Sequence, residues 1–467
     1  MQDARSSILR LSVVGHTNVG KTSLMRTLMR DVSFGNVAAG SATTRQVEGA
    51  RLLAQGQAVV ELFDTPGLED ASGLIEQLGA DTAERHAGPE RIEAFLASSA
   101  AAGRFEQEAR VLKQMLDSDA ALYVIDAREP VLGKYQDELA VLALCARPIL
   151  PVLNFVANPR NRVDEWREAL ARVGLHAVTE FDTVVFALDA EARMWRRLAT
   201  LTDAYAPGLE RLIDDREAQA KWQRSSARTM IAELLVDAAA ARRTADRDDS
   251  DEIDQARRSL REAIAQREQS FVEQLLELFR FTEADFRNLP LPIDRGRWQT
   301  TPFDAAMLGV LGRRAGGGLA AGAAAGAVVD VATGGLSLGA GTLIGAIVAG
   351  GGAGAWQLRR DIADRLRGRI GVIADDAALT MLAARAFALL DALGQRGHAA
   401  QNPVEIARRL PPPWPDRGLP GPLIRARLNP GVSTLNRGEG ANAEARQSLA
   451  GELGRCLGNT DQRSRQS

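Results

Sequence analysis

Nine residues near the N-terminus, GHTNVGKTS (15–23), have the types and the spacing of a phosphate-binding loop. The pattern G-x-x-x-x-G-K-[ST] is complete here, and it lies between an apolar run and a helical pattern. Its glycines let backbone N–H groups surround phosphates, its lysine reaches the terminal phosphate oxygens and its threonine hydroxyl binds Mg²⁺. We therefore predict that nucleotide is bound by Gly15, His16, Thr17, Asn18, Val19, Gly20, Lys21, Thr22 and Ser23.

A second candidate element, DTPG, ends the run VVELFDTPG. The Asp64 carboxylate is predicted to hold Mg²⁺ through water, and the Gly67 N–H to contact the γ-phosphate. Between the two elements lies the polar loop AGSATTRQVEG. A threonine in such a loop binds Mg²⁺ only while the γ-phosphate is present, which makes an order–disorder switch. Thr44 is the predicted ligand and Thr43 the alternative.

Alternating apolar runs and helical patterns extend from residue 8 to about residue 200. This alternation is typical of an α/β domain with a mostly parallel sheet covered on both faces. We expect helices over residues 21–30 and 104–116. The predicted strands are residues 9–14, 58–63, 121–125, 149–153 and 183–187.

The set GHTNVGKTS, TTR and DTPGL, in this order, resembles the G domain of the Era/TrmE/EngA branch of GTPases. The resemblance implies a P-loop G domain that binds GTP and GDP and hydrolyses GTP with Mg²⁺ as a molecular switch, with Lys21 in a catalytic role. It also implies that Asn18 helps to hold a potassium ion. Leu68 stands where Ras-like GTPases carry a glutamine, so we expect slow turnover. Glu76 matches a glutamate that orients water in TrmE, although a solvated helix residue is the other interpretation.

The chain departs from this family at the Asn-Lys-x-Asp motif that reads guanine. Asn154 matches the first position, but Phe155 replaces the lysine and Ala157 replaces the aspartate. Asp164 and Asn158 are alternative polar groups for the base, and Phe155 could stack on it. Guanine stays the expected base.

The base is also expected to meet the backbone after the next predicted strand. There the run TVVFALD places Ala187 at the position of a Ser-Ala turn in the family.

The chain is long enough for several domains: 467 residues with a formal net charge of −3. This charge makes a nucleic-acid partner unlikely on electrostatic grounds, and two distant cysteines give neither a disulfide framework nor a zinc site. The start of the chain lacks the apolar core of a secretory signal, so we expect a cytoplasmic protein. The predicted divisions are a G domain (1–204), a helical region (205–300), a Gly/Ala-rich hairpin with a following helix (301–398) and an irregular, mobile tail (399–467).

The segment 315–358 contains one charged residue, Asp330, and is flanked by pairs of arginines. Glycines at four-residue steps predict a close helical hairpin. One interpretation is contact with lipid at the cytoplasmic face of the inner membrane, and the other is a soluble packed hairpin. The alternative function is therefore that of a membrane-associated scaffold or remodelling protein, whose assembly is controlled by nucleotide binding.

A homodimer or an effector protein is a further expected partner. The layout also resembles bacterial GTPases with an uncharacterised helical C-terminal domain.

Overall fold

The computed structural model of the chain forms two compact units, Met1–Lys221 and Trp222–Ser467. Each unit is described separately. The structure describes residues 8–30, 48–79, 88–183, 187–279, 293–294, 297–298, 329–331, 368–395, 414, 418–436 and 442–464.

The first unit is an α/β domain around a six-stranded sheet of order β2-β3-β1-β4-β5-β6. All neighbouring strands are parallel except β2 and β3, which form an antiparallel pair. The strands are β1 (Leu9–Val14), β2 (Glu48–Ala54), β3 (Gln57–Asp64), β4 (Ala120–Asp126), β5 (Ile149–Asn154) and β6 (Thr179–Glu180). The helices are α1 (Lys21–Met29), α2 (Ala71–Gly79), α3 (Gly88–Leu96), α4 (Glu106–Leu116), α5 (Gly133–Ala143), α6 (Val163–Arg172) and α7 (Leu188–Leu201).

Helices cover both faces of this sheet, which explains why its central strands read as unbroken apolar runs. Every residue of β4 and β5 is buried. Alternate side chains of β4 enter different cores: Leu122 packs on the side of Trp195, and Tyr123 packs on the side of Trp166. The expected fold class, a P-loop-type α/β domain with a mostly parallel sheet followed by a helical region, is confirmed.

The last strand of the sheet differs from its prediction. Neither described end of the strand expected over residues 183–187 lies in a strand: β6 is Thr179–Glu180, Thr183 lies beyond it, and Ala187 directly precedes α7. The physical reason is that Thr183 does not continue the ladder with β5. Its N–H and hydroxyl both donate instead to the side chain of Asn154 at 3.0 Å. Residues 184–186 lie outside the described part of the chain.

The second unit contains long helices and a three-stranded antiparallel sheet of order β10-β11-β7. Helix α8 crosses the boundary between the two units. The helices are α8 (Ala206–Ala240), α9 (Ser250–Leu278), α10 (Asp376–Gln395), α11 (Gly421–Arg427) and α12 (Ala443–Ser464). The remaining strands are β7 (Arg242–Asp246), the pair β8 (Ile293–Asp294) and β9 (Arg297–Trp298), β10 (Val329–Val331) and β11 (Arg369–Ala374).

The apolar stripe predicted for the charged helical region lies on α9. Leu260, Ile264, Phe271 and Leu275 are buried in one core. The region is not wholly helical, however, because β7 lies between α8 and α9 and pairs with β11. After β7, the Asp249 side chain caps α9 by accepting the N–H groups of residues 251 and 252.

The helix predicted after the Gly/Ala-rich hairpin is wrong over residues 369–374, where β11 forms between β10 and β7. Its run RIGVIA is rich in β-branched side chains, which favour a strand. The predicted Gly/Ala-rich hairpin lies outside the described residues except for Val329–Val331, which form β10. In the described part of the chain, Asp376–Gly394 of α10 is long and apolar enough to cross a membrane, but 67% of that window is buried. This burial is that of a core helix.

The predicted irregular tail is also wrong for its described residues. Both α11 and α12 form there, and Leu423, Leu453 and Leu457 are buried in the same core as α8 and α9. Burial of these apolar side chains offsets the entropy of ordering the segment. Helices α11 and α12 thus contribute to the second unit's core.

Candidate nucleotide-binding site

The P-loop connects the end of β1 to the start of α1. Gly15 has φ 139° and Gly20 has φ 96°, a region that favours glycine. A Cβ atom on Gly15 would lie 2.4 Å from the carbonyl oxygen of Val124, and one on Gly20 would lie 2.4 Å from Nδ2 of Asn154. The loop therefore packs against the ends of β4 and β5, and these glycines are required by close approach as well as by conformation.

Lys21 is buried within this loop. Its Nζ donates to the carbonyl oxygens of Gly15 and His16 at 2.9 and 2.7 Å. Burial lowers the pKa of Lys21 to about 8, against the opposing attraction of Asp64. The ammonium group thus lies over the loop that would surround the phosphates.

The DTPG element packs directly on the P-loop. Thr22 Oγ1 donates to Asp64 Oδ2 at 2.6 Å, and Thr65 Oγ1 donates to the Val13 carbonyl at 2.8 Å. A Cβ atom on Gly67 would lie 2.2 Å from Oγ1 of Thr17. The P-loop and the DTPG element are therefore in direct contact.

The contact between Thr22 and Asp64 has the oxygen chemistry that Mg²⁺ prefers. Within the described residues, no group of three or more His, Cys, Asp or Glu side chains could hold a metal ion. One hydroxyl and one carboxylate are nevertheless sufficient where Mg²⁺ also binds substrate phosphates and water. Thr44 and Thr43 lie outside the described residues.

Helix α4 holds the segment that follows DTPG, a role that the sequence analysis missed. The buried Glu108 Oε1 accepts the N–H groups of Glu69 and Asp70 at 3.1 and 3.0 Å. Gln107 Nε2 donates to the Gly67 carbonyl at 2.6 Å. Glu76, on α2, is exposed to solvent, and its catalytic role stays a prediction.

His16 links the P-loop to α5. Its Nδ1 lies 2.7 Å from Glu138 Oε1 and 2.9 Å from the Leu68 carbonyl oxygen, both of which are acceptors. Lys134 Nζ lies 2.9 Å from Nε2. These partners require the proton on Nδ1 and an accepting Nε2. Glu138 also accepts from the hydroxyl of Tyr123 at 2.7 Å, and burial raises the pKa of that hydroxyl.

Asn154 connects the P-loop to the end of the sheet through hydrogen bonds of its side chain. Its Nδ2 donates to the Val19 carbonyl at 3.0 Å, and its Oδ1 accepts the N–H groups of Phe155 and Thr183. The side chain is completely buried. The predicted first position of the base-reading motif is therefore a structural connection between three loops.

Phe155 lies beside the P-loop, and its backbone has a positive φ of 58°. The guanidinium group of Arg128 stacks over the Phe155 ring, 4.0 Å from the ring centroid. Arg128 is itself paired with Asp126 through Nε and Nη2, at 2.9 and 2.6 Å. Of the two alternative polar groups, Asn158 accepts the N–H of residue 160 at 2.9 Å, and Asp164 is exposed in the first turn of α6.

Two family models match the chain. Residues 167–455 match the domain of unknown function DUF3482. This match covers more than half of the chain. The chain belongs to this family. Residues 10–155 match the model described as 50S ribosome-binding GTPase.

The tRNA modification GTPase MnmE of Leptospira biflexa is 33% identical over 133 residues. The match covers 27% of this DUF3482-family chain and only 28% of MnmE. Solved structures of Era are also similar. Era in complex with MgGDPNP and part of 16S ribosomal RNA has 15% identity and a TM-score of 0.28 over 38% of this chain and 51% of Era. An Era variant of Aquifex aeolicus bound to GDP and AlF4⁻ has 18% identity and a TM-score of 0.27 over the same shares.

The family model and the relative agree with the P-loop geometry. Residues 10–155 of this DUF3482-family protein accordingly form a P-loop domain of the Era/TrmE-like GTPase type.

Proposed function

We propose that this protein is a GTP-controlled molecular switch that hydrolyses GTP slowly with Mg²⁺. The observation that carries the proposal is the contact of Thr22 with Asp64 beside the buried Lys21. In this arrangement Lys21 would neutralise the terminal phosphates, and Thr22 and Asp64 would hold Mg²⁺ directly and through water. The DTPG element, which packs on Thr17, would report whether the γ-phosphate is present.

Slow turnover is supported by the residue that follows Gly67. Leu68 is fully buried and its carbonyl oxygen contacts His16, so this side chain cannot position the attacking water. Glu76 or a potassium ion beside Asn18 would have to complete the site. If Asn18 holds potassium, hydrolysis is expected to be faster in potassium than in sodium at equal ionic strength. Equal rates in the two salts would remove that role.

Calorimetric titration of the purified chain with GDP, a non-hydrolysable GTP analogue and ADP in Mg²⁺ buffer tests the binding function. We expect guanine nucleotides to bind, and Lys21→Ala to abolish binding. Lys113→Ala is a matched control, because Lys113 is an exposed lysine of α4. If the wild-type chain bound no nucleotide, or if Lys21→Ala bound as tightly as the wild type, the proposal would be wrong.

We further propose that residues 315–358 attach the protein to the cytoplasmic face of a membrane. The support is compositional: a long segment with one charged residue, between Arg313-Arg314 and Arg359-Arg360. Co-sedimentation of the full chain with anionic vesicles is the test, with a variant lacking residues 332–358 as the comparison. Binding that changes with the nucleotide would favour the scaffold function. Equal sedimentation of both chains would exclude residues 332–358 as the attachment.

A further inference from the structure

A carboxylate from another loop contacts the residue that stands where the base-reading motif carries its aspartate. Asp182 follows β6, and its Oδ2 accepts the N–H of Ala157 at 2.8 Å. Ala157 is the third residue after Asn154, where the Asn-Lys-x-Asp motif carries its aspartate. The carboxylate of Asp182, which is 8% exposed, therefore reaches the backbone of that residue from a neighbouring loop.

The next residue fixes the position of Asp182. Thr183 donates to Asn154 Oδ1 through both its N–H and its hydroxyl, at 3.0 Å each. Asn154 in turn donates to the Val19 carbonyl of the P-loop at 3.0 Å. Asp182 is thus held in register with the phosphate-binding loop by a short chain of buried hydrogen bonds, as a group that must recognise a ligand precisely needs to be.

An aromatic side chain, Phe155, precedes Ala157 by two residues and lies beside the P-loop. The Phe155 ring lies beside Gly20, with its Cζ 3.4 Å from where a Cβ atom of that glycine would be. Arg128 covers the ring of Phe155. The pKa of Arg128 is raised chiefly by its hydrogen bonds to Asp126 and in smaller part by Asp182, which agrees with a position of Asp182 near this ring.

We propose that Asp182 replaces the missing motif aspartate and accepts hydrogen bonds from N1–H and the amino group of guanine. The proposal rests on the nucleotide-binding function proposed above. A carboxylate accepts about four hydrogen bonds, which is more than the contact with Ala157 alone uses. Adenine presents an acceptor at N1 and no 2-amino group, which leaves a buried carboxylate without these donors.

The test is the base preference of Asp182→Asn, measured by titrating the full chain with GDP and xanthosine diphosphate. An asparagine amide donates where the carboxylate accepted, and xanthine carries an oxygen in place of the guanine amino group. We expect affinity for GDP to fall about tenfold or more and affinity for xanthosine diphosphate to rise. Glu180→Gln is the matched control, because this carboxylate lies two residues away, is half-exposed and pairs with Arg167.

A merely structural role for Asp182 predicts a different result. Asp182→Asn would then leave the ratio of the two affinities unchanged, whether both fell or neither did, and this would overturn the proposal. Asp182→Ala is a second variant, expected to lose the preference for GDP over ADP without gaining xanthosine diphosphate. If the wild type bound GDP but these ratios did not move, only this inference would fail. If the wild type bound no nucleotide, the proposed function would fail and this inference with it.

Discussion

Replacing Glu108 by alanine removes the acceptor that holds the segment after DTPG. The buried Oε1 of Glu108 accepts two backbone N–H groups, from Glu69 and Asp70. A hydrogen bond to a charged group contributes about 1.5–3 kcal/mol, but Glu69 is exposed, so water replaces part of what is lost. We therefore expect Glu108→Ala to lower the free energy of local opening of residues 68–70 by about 2 kcal/mol. This raises the open population about 30-fold.

Native-state hydrogen exchange of the nucleotide-free chain, read by mass spectrometry, measures this opening. The amides of Glu69 and Asp70 should exchange about 30-fold faster, whereas β4 and β5 should stay protected. Glu108→Gln keeps an accepting oxygen without the charge and should give a smaller increase. Glu106→Gln is the control on the same helix, because it removes only an exposed ion pair with Arg110. Unchanged exchange at residues 69 and 70 in a folded Glu108→Ala chain would refute the role given to α4.

Three further predictions concern the fold around the site and the second unit. Gly15→Ala should destabilise the first unit by about 2 kcal/mol or more in urea titration, since it combines strained backbone with a clash; wild-type stability would contradict this. Asn154→Ala should lower the free energy of unfolding by about 2–3 kcal/mol and weaken GDP binding in calorimetry. A loss of stability without weaker GDP binding would argue against the role of Asn154 in holding the P-loop. Burial raises the pKa of Glu268 to about 7 against the opposing charge of Arg385, so the folded chain holds a proton that the unfolded chain releases. Stability measured by urea titration should therefore fall as pH rises from about 4.5 to 7, by at most about 3 kcal/mol, and Glu268→Gln should flatten this dependence.

The sequence predicted the parts of the site that neighbours along the chain determine. The P-loop, Asp64 and the strands β1, β3, β4 and β5 each follow from a local pattern of glycines or buried apolar residues. Helix α4 also follows from local periodicity, since a helix was predicted over residues 104–116. These elements needed no information about distant partners, and the structure has them close to their predicted bounds.

Contacts between distant parts of the chain could not be predicted in the same way. Glu108 lies 39 residues from Glu69, and Glu138 lies 122 residues from His16. Asp182 was missed because its proposed role depends on its contact with Ala157, which lies 25 residues away on another loop. Strand β7 has the sequence RRTAD, which carries little strand signal by itself and forms where β11 pairs with it.

The strongest missed signal was a single aspartate within an apolar helical run, ELLVDAAAA, at the end of α8. Asp237 is completely buried, and a buried carboxylate is costly unless charged or polar groups compensate it. Arg267 and Arg446 both contact its Oδ2 at 2.9 Å, and the Thr434 N–H donates to Oδ1 at 3.0 Å. Burial alone would raise the pKa of Asp237, but these hydrogen bonds together lower it. Two of these three partners, Thr434 and Arg446, lie within the predicted tail. The buried carboxylate in α8 is therefore compensated only when these two residues are ordered against it.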